Sequence, residues 1–183
     1  MRFIETPLSG AYIVECDLFI DERGVFARTF CAKEFAQIGF DGHIVQINYS
    51  QTGKRGIIRG MHYQLPPVCE AKIVRCVQGK VFDVMVDIRT GSSTFNHWYG
   101  VELSSDNMLA AFVPKGFAHG YQALTDNAAL IYFISAFYSP AHEKGLRYDD
   151  PALAITWPMP ANAVSDKDRS HALIDEKFKG IEP

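Results

Sequence analysis

Arg59 and His62 stand three residues apart in Gly56–Gln64, sequence GIIRGMHYQ. Arginine is a permanent cation whose planar fork of donors matches phosphate. Histidine takes up or releases a proton near neutral pH. Together they describe an anion held beside a proton-transfer site. Gly56 and Gly60 allow a backbone path, or the close approach of a ligand, that a Cβ would forbid. A strand end carrying two ordinary polar residues has the same composition, so the nonapeptide alone leaves both readings open.

Other residues could join this pair. Pro114–Gly120, PKGFAHG, has the spacing P-x-G-x-x-H and ends on His119. It resembles the second signature of the cupin jelly rolls, whose metal-binding members add two histidines and a glutamate from an earlier H-x-H element. The matching element here is His62-Tyr63-Gln64, which lacks the second histidine, and Glu70 lies too far along for the glutamate. A metal needs three or four ligands at set distances, so the expectation is a cupin without metal, working through its side chains. His119 as a packed barrel residue is the alternative. Lys72 opens a strand ten residues after His62. A lysine there is normally solvated, but it faces a substrate oxygen if the strand lines the same barrel. Tyr132 sits in the apolar run LIYFI, where a buried hydroxyl needs a partner. Lys167-Asp168 reads as exposed loop charge. Asp83 and Asp87 are equally able to orient a histidine.

The elements that must position these groups read as strands. Asp21–Gly24 is a turn before Val25–Phe30. Ala32–Ile38 is helix-like, with Gly39 to stop it, and Ile44–Tyr49 carries Gln46 and Asn48 on one face. Ala71–Val77 is a strand. In Lys80–Ile88, Phe82, Val84, Val86 and Ile88 share one face, and Val81, Asp83, Met85 and Asp87 the other. Further strands are expected at Tyr99–Leu103, Met108–Val113, Gly120–Leu124 and Ala128–Ser135. Many short strands separated by turn residues argue for an all-β sandwich or jelly roll. After Tyr138 the pattern weakens into an irregular excursion, and Ser165–Phe178 is polar, with a short helix expected at its end.

The 183 residues suit one domain, 1–183, and 48% apolar residues supply a core. A net charge of −3 gives no argument for nucleic-acid binding. No apolar run approaches the roughly 18 residues of a membrane span. The first ten residues lack a signal peptide's apolar region. The four cysteines form no C-x-x-C pair, and reduced thiols in a cytoplasmic protein are the simpler reading.

Taken together, DERGVFARTF, QINYS, RGMHYQLPP, AKIVRCVQGKVFDVMVDIR, STF, VELSSDN, PKGFAHGY, the Tyr132–Tyr138 strand, AHEKGLRYDDPALAITWP and VSDKDR resemble the dTDP-4-dehydrorhamnose 3,5-epimerase family, in the family's order from about residue 20 to 169. The resemblance implies a cupin-type jelly roll with short peripheral helices, forming a homodimer. It implies a nucleotide-linked 4-keto-6-deoxy sugar as substrate, without cofactor, nucleic acid or membrane. His62 matches the base, Asp168 its partner, Lys72 the cation near the 4-keto oxygen and Tyr132 the proton donor. Arg59 and His119 match substrate contacts, and Arg23, Gln46, Asn48, Glu143 and Lys167 further binding positions. Tyr138 matches the aromatic that stacks on the base.

Arg28 departs from the pattern. The family commonly has glutamate two residues after the phenylalanine that Phe26 matches, at the nucleotide end of the site. A carboxylate accepts hydrogen bonds and a guanidinium only donates them, so the thymidine preference is the property in question. An enzyme inverting one centre, or using another nucleotide sugar, carries the same motifs. A non-catalytic cupin would be expected to lack His62 or Tyr132, and Gln64 disfavours a metal-dependent oxygenase.

Overall fold

A computed structural model describes residues 1–40 and 43–183. The chain opens with β1 (Arg2–Glu5) and β2 (Tyr12–Glu15), then a hairpin of β3 (Leu18–Asp21) and β4 (Gly24–Ala27). Helix α1 (Ala32–Phe35) runs into a 3-10 turn at Ala36–Ile38, closed by Gly39 in the left-handed region. There follow β5 (Gln46–Thr52), β6 (Ile58–Gln64), β7 (Lys72–Gln78), β8 (Lys80–Asp87), β9 (Trp98–Ser104), β10 (Ala110–Val113), β11 (Phe117–Ala123), β12 (Ala128–Ile134), β13 (Glu143–Gly145) and α2 (Asp166–Arg169).

The strands pair antiparallel into two sheets, ordered β1-β2-β10-β7-β12-β5 and β13-β6-β11-β8-β9, with β3-β4 apart. One apolar cluster joins the two sheets, with Ile13, Val74, Ala111 and Leu130 from the first and Val81, Met85, Leu103 and Tyr121 from the second. This is the expected jelly roll of the cupin type. Among the described residues no helix is long and apolar enough to cross a membrane.

The faces of β8 correct a simple reading of hydrophobic alternation. Its mixed face, with Val81, Asp83 and Met85, points between the sheets. Its wholly apolar face, Phe82, Val84 and Val86, packs with Ile88 outward beneath Leu146, Leu153, Trp157, Phe178 and Ile181. Both faces of the sheet are covered, so apolarity does not mark the inside. The irregular excursion after Tyr138 is therefore a structural cover. The other sheet presents Phe112 of β10 outward, where Phe35 and Phe40 cover it and Phe3 and Phe30 pack against them.

Two expectations change in detail, and short unforeseen strands are added. The strand expected at Val25–Phe30 ends at Ala27, and Phe30 turns in against Phe35 and Phe40. β1, β2 and β13 lie in segments without clear alternation. The helix expected at the end of Ser165–Phe178 lies at its start, where the Ser165 hydroxyl accepts the Asp168 N–H. That is the ordinary N-cap bond, which Ser165 supplies at the start of the segment.

Candidate active site

Arg59 and His62 have an odd separation, which on a regular strand would send them to opposite faces. The β6–β11 register shifts between them: His62 opposes His119 and Arg59 opposes Tyr121, three steps against two. The extra residue is a bulge. Gly60 makes it possible, because a Cβ there would come within 2.5 Å of the Gly120 Cα. The bulge turns Arg59 and His62 to one side, together with His119 and Tyr121.

They line a cavity of about 890 Å³ between the two sheets. The six-stranded sheet contributes Gln46, Asn48, Lys72 and Tyr132. The five-stranded sheet contributes Arg59, His62, His119 and Glu143. Tyr138, Lys167 and Asp168 complete the wall.

His62 Nε2 lies 2.7 Å from Asp168 Oδ1, across 106 residues of sequence. The Gly60 N–H donates to the other oxygen at 3.2 Å. Burial alone would raise the Asp168 carboxyl, but His62 and the Gly60 and Ser165 hydrogen bonds outweigh it and hold the group below the usual carboxylate range. An ionised Asp168 fixes the ring orientation of His62. The Lys72 ammonium, almost fully buried, contacts Glu70 Oε1 at 3.0 Å and donates to the His62 carbonyl at 3.2 Å. Tyr132 lines the cavity from the sheet opposite His62, edge-on to the His119 ring at 5.9 Å between centroids. Burial first, then the neighbouring Tyr121 and Asp83, push its phenol well above the ordinary value. Asp83 orients His119, Oδ2 to Nε2 at 2.8 Å. Asp87, the other carboxylate weighed for such a role, is taken by Arg89, Ser92 and Thr94.

A base with a fixed tautomer, a buried cation and a protonated phenol facing one space suit proton removal beside a carbonyl. Comparison with known proteins shows the family. The model of the dTDP-4-dehydrorhamnose 3,5-epimerase family matches residues 5–176. The chain belongs to this family. The enzyme of that name from Shigella flexneri is 44% identical over 169 residues, 92% of this chain and 93% of that one. A structure from Legionella pneumophila, in complex with dTDP-4-keto-L-rhamnose, is 38% identical with a TM-score of 0.91, covering 100% and 98% of the two chains. A 3′-monoepimerase from Streptomyces bikiniensis, with dTDP-quinovose, is 35% identical with a TM-score of 0.84, over 92% and 85%. This chain is thus an isomerase of the sugar-epimerase type.

At the rim of the epimerase cavity, the Tyr138 hydroxyl donates to Glu143 Oε2 at 2.6 Å, and Lys167 Nζ meets the same oxygen at 2.6 Å. Burial raises the Glu143 carboxyl, but these two partners lower it further, so it stays ionised. Gln46 donates to Asn48 at 3.0 Å and accepts the Tyr138 N–H at 3.2 Å. Arg23, Phe26 and Arg28 do not line this cavity. Arg23 and Phe26 border a separate cleft on the β3–β4 hairpin, and Arg28 pairs with Glu34 at 3.2 Å.

The metal positions of other cupins are otherwise engaged in this epimerase. His62 and His119 each give Nε2 to a carboxylate, and Gln64 donates to two backbone carbonyls while its oxygen accepts the Ser139 N–H at 2.6 Å. That donor set does not fit a metal there.

Sequence reasoning missed Glu70 as the partner of Lys72, and the hydroxyl cluster of Tyr121, Thr52 and Ser50. Tyr121 meets Thr52 at 2.7 Å and Ser50 at 3.1 Å, and the Arg59 Nε–H donates to Thr52 at 3.1 Å. A signal existed for both: Tyr121 lies two residues beyond His119, and Glu70 two before Lys72, the spacing of one strand face.

Proposed function

We propose that this epimerase inverts both C3 and C5 of a dTDP-linked 4-keto-6-deoxy hexose. The 4-ketone acidifies the hydrogens on both neighbouring carbons. His62 removes one, Asp168 stabilises the imidazolium, and Lys72 balances charge developing on the 4-keto oxygen. Tyr132 returns a proton to the opposite face. Arg59 holds the pyrophosphate, His119 contacts the sugar, and Tyr138 stacks on the base, with Gln46, Asn48, Glu143 and Lys167 along the nucleotide. No electrons leave the substrate, so the reaction needs no redox cofactor.

One observation carries this reading: the candidate base and acid stand on opposite sheets with the cavity between them. Inversion requires that separation, because return of the proton from the face it left regenerates the substrate.

The same reading makes the enzyme a homodimer. Phe19, Ile20, Val25 and Phe26 expose an apolar hairpin, and Ile47 and Tyr49 expose a matching edge on β5 at the cavity. A partner's hairpin laid on that edge would bring its Arg23, Phe26 and Arg28 to the nucleotide. A second reading, inversion at one centre, is supported by the likeness to the 3′-monoepimerase. Incubation with dTDP-4-keto-6-deoxyglucose in deuterated water, followed by NMR, decides between them. Exchange and inversion at C3 and C5 are expected. Inversion at one carbon would favour the second reading, and no exchange at either would refute both.

A further inference from the structure

His171 follows the candidate base's partner by one helical turn and has no part in the mechanism above. Its ring lies against Gly145, where any Cβ would fall 2.2 Å from Nε2, and Gly145 pairs across the sheet with His62. The Nε2 atom is buried and has no hydrogen-bond partner among the described residues. A buried polar atom without a partner is costly and calls for an explanation. Burial first, with His62 adding to it against the opposing pull of Asp168, lowers the His171 imidazole, so it is kept neutral and offers a lone pair. One ligand atom each of His62, Asp168 and His171 lies within 4.8 Å of the others.

We propose that His62, Asp168 and His171 form a reversible, inhibitory site for a zinc-like divalent cation. Two imidazoles and a carboxylate are the ligand set of borderline transition metals, whereas magnesium and calcium seek oxygen. Tetrahedral zinc with bonds of roughly 2.0–2.1 Å puts its ligand atoms roughly 3.3 Å apart. The His62–Asp168 contact of 2.7 Å would open by about 0.6 Å, and His171 would close in from within 4.8 Å. The proposal requires both movements of the three side chains. The cation takes the place of the proton that His62 Nε2 shares with Asp168; His62 Nδ1 takes up a proton in exchange, so the imidazole stays neutral and no net proton is released. Three protein ligands leave the fourth position to water, the open arrangement from which metal exchanges.

The site differs from the metal position of other cupins, which would use His119 and residue 64. It needs His171, and it makes the cation an inhibitor and not a cofactor. The inhibitory part rests on His62 being the base. The binding part does not.

Calorimetric titration of metal-free enzyme with zinc chloride tests the site directly. One cation per chain is expected, with magnesium chloride giving no heat of binding. Cobalt should give the visible absorption of a tetrahedral site. His171→Leu should bind zinc at least about tenfold more weakly while keeping the metal-free turnover of wild type. Zinc should inhibit the wild type in competition with the nucleotide sugar, a chelator should restore turnover, and His171→Leu should resist. Equal zinc binding by wild type and His171→Leu, or no stoichiometric binding, would overturn the proposal. If zinc binds through His171 but His62→Ala still turns over, the site stands and the assignment of the base falls.

Discussion

The pocket around His62 and the β3–β4 hairpin are built differently. Around His62 the three cationic or basic side chains are each paired within the chain: Asp168 holds the imidazole, Glu70 the ammonium of Lys72, and Asp83 the ring of His119. These side chains are buried or half-buried and come from both sheets. The β3–β4 hairpin, which carries Arg23 and Phe26, is the reverse. Phe26 is 70% exposed and Ile20 72%, and neither Arg23 nor Arg28 reaches the cavity. Under the proposed function, the contrast puts the chemistry inside one chain and leaves part of the recognition to a partner's hairpin. Preorganised charge is worth most where water is excluded, and a docking surface must stay exposed until its partner arrives.

The strongest break of the first region is His62→Ala. Loss of a general base is expected to lower turnover about 10²–10⁴-fold, with an unchanged circular-dichroism spectrum. Near-normal turnover would remove His62 from the base role.

Asp168→Asn should follow, with a smaller loss of turnover, because the amide cannot stabilise the imidazolium. Stability gives it a second signature. The Asp168 carboxyl is depressed in the folded chain, so its contribution is present above the unfolded value of about 3.9 and fades as pH falls through the lower folded value. The Asp168→Asn variant should therefore melt below wild type near neutral pH, and the gap should close in acid. A gap that is constant with pH would contradict the depressed carboxyl.

Breaking the second region should look different. Phe26→Asp is expected to weaken self-association in sedimentation and to raise KM more than it lowers kcat. A monomeric variant with unchanged KM would separate the hairpin from the nucleotide. Arg28→Glu should have the smallest effect, a shift in preference among dTDP-, UDP- and CDP-linked substrates. An unchanged preference would show that Arg28 is not a determinant.

Much of the first region was legible in the sequence, and the reason differs by residue. His62 and Arg59 announce themselves by type, but their shared face depends on a bulge that alternation alone would deny. Asp168 looks like loop charge, and its pairing with His62 spans 106 residues. No local pattern encodes that, so it entered through the family resemblance. The jelly roll was legible from its alternating strands, whereas β1, β2 and β13 were not, because short strands of mixed composition carry no period. The cover over β8 was hidden for a related reason: its apolar residues are scattered through irregular chain. Arg23, Phe26 and Arg28 came from the resemblance alone, and a single chain offers them no site.

The central claim is that proton removal and proton return occur from opposite sheets. Wild type and Tyr132→Phe, incubated with substrate in deuterated water and followed by NMR, test it most directly. The substitution removes one hydroxyl, and a buried partner left unpaired would cost about 1–3 kcal/mol. The variant should therefore still fold, and His62 should still take protons. The account predicts that the variant exchanges substrate hydrogen for deuterium faster than it forms inverted sugar. Exchange and inversion lost in equal measure, or inversion undiminished at both carbons, would contradict it.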